Sequence, residues 1–122
     1  MSVGGVHHVQ VTVPIGAETE ARAFYLGVLG LQEIPKPASL QGRGGFWIRA
    51  GDDEVHIGTE DGVDRAATKA HVAFAVEGLQ TWRDVIEAQG LPISESVPFP
   101  GFDRFEFRDP FGNRVELIEP IG

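Results

Sequence analysis

The chain contains no cysteine, one methionine and one tyrosine in 122 residues. Without thiols there are no disulfides, no thiolate nucleophile and no cysteine-ligated zinc or iron–sulfur cluster, so any metal is left to His, Asp and Glu. No stretch approaches the roughly 20 apolar residues that a membrane span needs, and the first residues lack a basic segment leading into an apolar run. A cytoplasmic protein without a membrane partner is therefore expected. Basic side chains are also scarce, ten Lys and Arg against eighteen Asp and Glu, for a formal charge of −8. Such a surface repels a phosphate backbone, and nucleic acid is not an expected partner. Low-complexity runs and serine-rich linkers are missing too, which favours one domain over residues 1–122. With hydrophobic residues at 42% and charged residues at 23% the composition is globular, and the surplus of glycine, 16 residues, calls for tight turns between short strands.

The chain repeats itself. His8-Val9-Gln10-Val11-Thr12-Val13 and His71-Val72-Ala73-Phe74-Ala75-Val76 are both period-two strands opened by a histidine. Each is followed by a segment of helical spacing: Ala21, Phe24, Tyr25 and Val28 within Glu18 to Leu29, and Leu79, Trp82, Val85 and Ile86 within Leu79 to Gln89. Gly30 and Gly90 stop the two helices, and prolines end the short extended segments that follow. Each half then closes with a hairpin, Phe46 to Ile57 turning at Gly51-Asp52-Asp53 and Phe105 to Leu117 turning at Asp109-Pro110-Phe111-Gly112-Asn113. The spacing predicts an α+β fold of two tandem β-α-β-β-β modules, about 4–60 and 67–120.

Strand parity states which side chains share a face. Val9, Val11 and Val13 form an apolar face and leave His8, Gln10 and Thr12 on the other; His71 shares its side with Ala73 and Ala75, small residues that leave room in front of a sheet. Val55 and Ile57 turn His56 away from the core, and Val115 and Leu117 do the same for Glu116. Four possible ligands thus occupy matching positions, and an approximate twofold between the modules would converge them on one axis as a divalent-metal site. His7 has the parity of the valines and is read as structural or exposed.

These residues resemble the vicinal oxygen chelate superfamily, which contains glyoxalases, methylmalonyl-CoA epimerases, fosfomycin-resistance enzymes, extradiol dioxygenases and bleomycin-resistance proteins. The resemblance runs through His8-Val9-Gln10-Val11, Phe24-Tyr25, Val28-Leu29-Gly30-Leu31 and His71-Val72-Ala73-Phe74 to its most specific element, Asp109-Pro110-Phe111-Gly112-Asn113-Arg114-Val115-Glu116-Leu117. It implies a half-open mixed β-barrel around a metal site with helices outside. It also implies His8, His71 and Glu116 as ligands of a divalent ion (Fe, Mn, Ni, Co or Zn), with His56 as a fourth ligand, as an acid or base beside the centre, or as neither. The resemblance also implies a homodimer, which covers open sheet edges by edge pairing or by exchange of modules between chains.

The resemblance further implies a small-molecule substrate with vicinal oxygens and a lyase or isomerase reaction, the ion acting as electrophile and His56 or Glu54 moving the proton. Dioxygenase chemistry is disfavoured by the presence of only two modules and by the single tyrosine, Tyr25, which falls in a helix. Trp47, Phe99 and Phe102 are candidate pocket walls; Arg43, Arg49 and Arg104 are either binders of substrate carboxylates or solvated surface charges, and Gln41 to Gly45 reads as a mobile lid. The competing reading is a bleomycin-resistance-like protein that binds or sequesters a small molecule without catalysis.

Overall fold

Alternating side chains and glycine-marked turns build the same four-stranded sheet twice in the computed structural model, which describes all 122 residues. The first unit, Met1–Val63, and the second, Asp64–Gly122, each bury an apolar core of their own. In the first unit, β1 (His8–Val13) leads into α1 (Glu18–Arg22), and β2 (Gln32–Ile34), β3 (Phe46–Ala50) and β4 (Asp53–Thr59) follow. In the second, β5 (His71–Ala75), α2 (Leu79–Ala88), β6 (Ile93–Glu95), β7 (Phe102–Arg108) and β8 (Arg114–Pro120) repeat that order. The sheets run β1-β4-β3-β2 and β5-β8-β7-β6. In each, the first strand is parallel to the last and the remaining pairs are antiparallel, so both sheets are mixed and neither closes on itself. This is the β-α-β-β-β pattern predicted from the repeat.

One face of each sheet is apolar and packed beneath its helix. Phe46, Ile48, Val55 and Ile57 are buried with Ala21, Phe24 and Tyr25 in the first unit; Phe105, Phe107, Val115 and Leu117 are buried with Leu79 and Ile86 in the second. Burial of each large side chain contributes roughly 1.5–3 kcal/mol. Each helix is also clasped to its edge strand. Arg22 lies 4.6 Å over the Phe46 ring and pairs with Glu33, while Arg83 lies 4.8 Å over the Phe105 ring and pairs with Glu95. The edge carboxylates thus turn toward the helix face, and the arginine stems cover the phenylalanines.

Several local expectations are adjusted. The first helix reaches the predicted end but widens after Arg22 into a π-helical stretch, Ala23–Val28, in which Leu29 N–H donates to the Phe24 carbonyl at 3.0 Å. Trp82, expected in the core, is half-buried, and Val9 on edge strand β1 is 38% exposed. The expected lid is largely an ordered 3₁₀ turn, Ala38–Arg43, fastened by Lys36 Nζ donating to the Gly44 carbonyl at 2.7 Å. Gly45 is required for close approach: at φ +76° a Cβ there would stand 2.0 Å from the Ile57 carbonyl oxygen. The closing hairpin is organised by buried Asp109, whose Oδ1 accepts from Phe111 N–H at 2.9 Å and Asn113 N–H at 2.8 Å. No helix is long and apolar enough to cross a membrane.

The two faces differ in what they contribute to stability. Phe105→Ala, at a fully buried position, is expected to destabilise the protein by about 3–5 kcal/mol. Phe102→Ala, three residues earlier on the exposed end of β7, is expected to cost less than about 1 kcal/mol; urea unfolding of both variants checks the contrast.

Candidate functional site

The face opposite each core carries the polar residues singled out by parity. In the first sheet the pairing sets Trp47 and Gln10 on either side of His56, with His8 opposite Glu54. The rings form a stack: Trp47 and His56 have centroids 3.7 Å apart and planes 3° apart, and His8 lies on the other side of His56 at 4.0 Å and 15°. This stacking explains why His56 is 3% exposed on a face that parity turns away from the core. Its Nε2 lies 3.0 Å from Glu54 Oε1. A carboxylate accepts, so the proton between them sits on Nε2. The hydrogen bond from His56 holds the Glu54 carboxyl below the usual carboxylate range, and the nearby charges of His56, His7 and Arg49 act in the same direction. His7, read as structural or exposed, is exposed, and its Nδ1 lies 2.9 Å from Nδ1 of His8, one of the two rings donating.

In the second sheet Glu116 is buried and His71 lies at the exposed edge, its Nε2 3.2 Å from Glu116 Oε1. His71 Nδ1 donates to the Lys69 carbonyl at 3.0 Å. Arg104 Nη1 donates to the same Glu116 Oε1 at 3.0 Å, while its Nε donates to the Val97 carbonyl at 3.1 Å and the guanidinium lies 5.0 Å over the Phe99 ring. Directly across from Glu116 stands Glu106, which takes two hydrogen bonds from Arg114 and one from Ser96 Oγ at 2.9 Å. The Arg114 hydrogen bonds keep the Glu106 carboxyl below its ordinary range, with Ser96 adding to the effect.

The structure therefore brings His8 together with His56, Glu54 and Trp47, and His71 together with Glu116 and Arg104. Arg49 approaches Glu54 at 3.8 Å from an exposed position, and Phe99 and Phe102 form an exposed aromatic pair with centroids 5.2 Å apart. No group of three or more His, Asp or Glu side chains is arranged to hold a metal ion. Sequence reasoning missed Glu106, Arg114 and Ser96. The signal for the first was present, since Arg104, Glu106 and Arg108 alternate with Phe105 and Phe107 and must share the face of Glu116.

Comparison with known proteins matches residues 5–117 to the family model described as Glyoxalase/Bleomycin resistance protein/Dioxygenase superfamily. No curated protein matches. Among solved structures, a protein of Bacillus anthracis described as a glyoxalase family protein is 41% identical, covers 99% of this chain and 98% of its own, and superposes with a TM-score of 0.88. A fosfomycin resistance protein of Listeria monocytogenes, solved with Mn(II) and sulfate ion, is 18% identical with a TM-score of 0.79 over 98% of this chain and 93% of its own. A lactoylglutathione lyase of Agrobacterium tumefaciens is 19% identical with a TM-score of 0.72 over 98% of this chain and 96% of its own. The last two share the fold.

The depressed Glu106 carboxyl gives a pH dependence of definite sign. Its contribution to stability is complete above the ordinary glutamate value of about 4.3 and is lost as pH falls through the lower folded-state value. Urea midpoints measured from pH 6 down to pH 3 should fall less steeply for Glu106→Gln than for the unmodified chain.

Proposed function

The chain belongs to the Glyoxalase/Bleomycin resistance protein/Dioxygenase superfamily, and on that premise we propose that it is a small metal-dependent enzyme acting on a substrate with vicinal oxygens, a lyase or isomerase. In this reading His8, His71 and Glu116 hold a divalent ion, and His56, stacked on His8, serves as a further donor or as the proton-transfer group with Glu54.

One arrangement supports the reading above all. The Lys69 carbonyl takes the Nδ1 proton of His71, so in the neutral ring the Nε2 lone pair faces Glu116 Oε1, 3.2 Å away. Two acceptors at that distance need a cation between them, a proton or a metal ion. Metal bonds of about 2.0–2.2 Å to nitrogen and oxygen span such a gap, and an imidazole whose other N–H is fixed by a backbone carbonyl is the usual form of a metal-bound histidine. Three imidazoles and a carboxylate with no thiolate suit Mn, Fe, Co, Ni or Zn. That one relative was solved with Mn(II) adds to the case.

When bound, the ion supplies Lewis acidity toward two adjacent substrate oxygens. The chain's own residues do the rest. Glu54 accepts the Nε2 proton of His56 and so leaves Nδ1 as the basic nitrogen; a proton taken there is balanced by the carboxylate on the far side of the ring. Trp47, flat against the imidazole, fixes its plane and keeps water from that side. The proposal includes a homodimer, because edge strand β1 exposes Val9 and leaves a row of backbone groups without a strand partner.

The deciding experiment offers 2-oxoaldehyde hemithioacetals, acyl-CoA epimers and catechols to metal-loaded and chelator-treated protein. Turnover that chelation abolishes, and that Glu116→Gln removes together with at least about a hundredfold of metal affinity, is the expected outcome. Tight ligand binding that needs no metal and gives no turnover would replace the enzyme by a sequestering protein. Sedimentation at micromolar concentration should return twice the mass of the chain, and a monomer would exclude the dimer.

A further inference from the structure

The polar contacts around Glu116 and His71, hydrogen bonds and ion pairs together, close on themselves. From the Lys69 carbonyl, one branch runs to His71 Nδ1 at 3.0 Å and on through Nε2 to Glu116 Oε1 at 3.2 Å. Arg104 Nη1 continues it, 3.0 Å from Glu116 Oε1 and 3.6 Å from Glu106 Oε1. Glu106 is held by both Arg114 Nε and Arg114 Nη2, and Arg114 Nη1 returns to the same Lys69 carbonyl at 3.3 Å. Charge alternates along Arg114, Glu106, Arg104 and Glu116: Glu106 sits between two guanidiniums, and Glu116 between Arg104 and the His71 imidazole. Arg104 is anchored independently by two donors on the Val97 carbonyl and by the Phe99 ring. It therefore fixes Glu116 instead of following it.

We propose that Arg104 and Glu106 are positioning residues: the ring they complete holds Glu116 Oε1 against His71 Nε2 and presents the pair as a preformed two-donor clamp for a divalent cation. The inference rests on the metal reading above and deepens it. A carboxylate oxygen has two lone-pair sites. Arg104 occupies one on Oε1 and His71 faces the other, so a cation entering from the His71 side leaves the Arg104 hydrogen bond in place. Without that bond Glu116 is free to turn among its rotamers, and each binding event then has to order it. The first unit has no such ring; there His56 is fixed by stacking and by one carboxylate.

Calorimetric titration of the full chain with Mn(II) alone tests the clamp, alongside thermal unfolding of the metal-free variants. Arg104→Met, which keeps an apolar stem against Phe99, is expected to weaken Mn(II) binding by about 10–100-fold, and Arg104→Lys to recover part of the loss through one remaining hydrogen bond. Glu106→Gln should weaken it less, and the double variant Arg104→Met/Glu106→Gln should be no worse than Arg104→Met, since both act through one ring. A loss of affinity that follows the unfolding temperatures across the series would mark a structural role only and overturn the proposal. Mn(II) binding in Arg104→Met as tight as in the unmodified chain, or tighter, would also overturn it and leave the guanidinium as a mere counter-charge. If the unmodified chain binds Mn(II) and Glu116→Gln does not while Arg104→Met does, the clamp alone fails. If the unmodified chain binds none, the metal reading fails with it.

Discussion

In each module the first strand lies parallel to the last, β1 beside β4 and β5 beside β8, and a parallel pair can be joined only by a crossover long enough to return over the sheet. That requirement puts a helix on one face and fixes which face is left uncovered. Because the side-chain period is two, it also decides that His8, His56, His71 and Glu116 stand on the uncovered side while Val55, Ile57, Val115 and Leu117 go under the helix. A shift of one residue in either register would send every polar donor into the core. The chemistry thus depends on register before it depends on any individual side chain.

The two uncovered faces solve the problem of holding polar side chains still in different ways. The first relies on ring stacking, with His8, His56 and Trp47 laid across three adjacent strands. The second relies on charge, with arginines and glutamates paired in alternation beside His71. Stacking tolerates sliding but restricts tilt, whereas charge-assisted hydrogen bonds from a guanidinium specify direction at each atom. In a chain with eight more acidic than basic groups, Arg104, Arg108 and Arg114 are gathered on one face of one sheet. They offset Glu106 and Glu116 there instead of forming a general basic surface.

What could be read from the sequence was what periodicity encodes. The strand order, the two helices, the glycine stops at Gly30 and Gly90 and the side taken by each candidate ligand all follow from period-two and helical spacing, and they appear in the structure. What could not be read was set by partners distant in sequence. No local motif announces the π-helical widening at Ala23–Val28. Gln41 to Gly45 looked mobile because glycine leaves the backbone free in isolation; in the fold, Lys36 and the close approach of Gly45 to Ile57 restrain it. His7 was set aside by parity because it precedes the strand, where alternation no longer holds. Arg104, read as a binder of substrate carboxylates or as a solvated surface charge, is placed beside Glu116 by the β7–β8 pairing.

The arginine–glutamate–phenylalanine clasp occurs once in each unit and is built wholly from that unit's residues, Arg22, Glu33 and Phe46 in one and Arg83, Glu95 and Phe105 in the other. Each half consequently carries its own means of keeping its helix in place. The two clasps hold like backbones beneath faces of different chemical character. One presents rings and the other presents ions, so the same backbone plan, clasped in the same way, carries two kinds of polar surface.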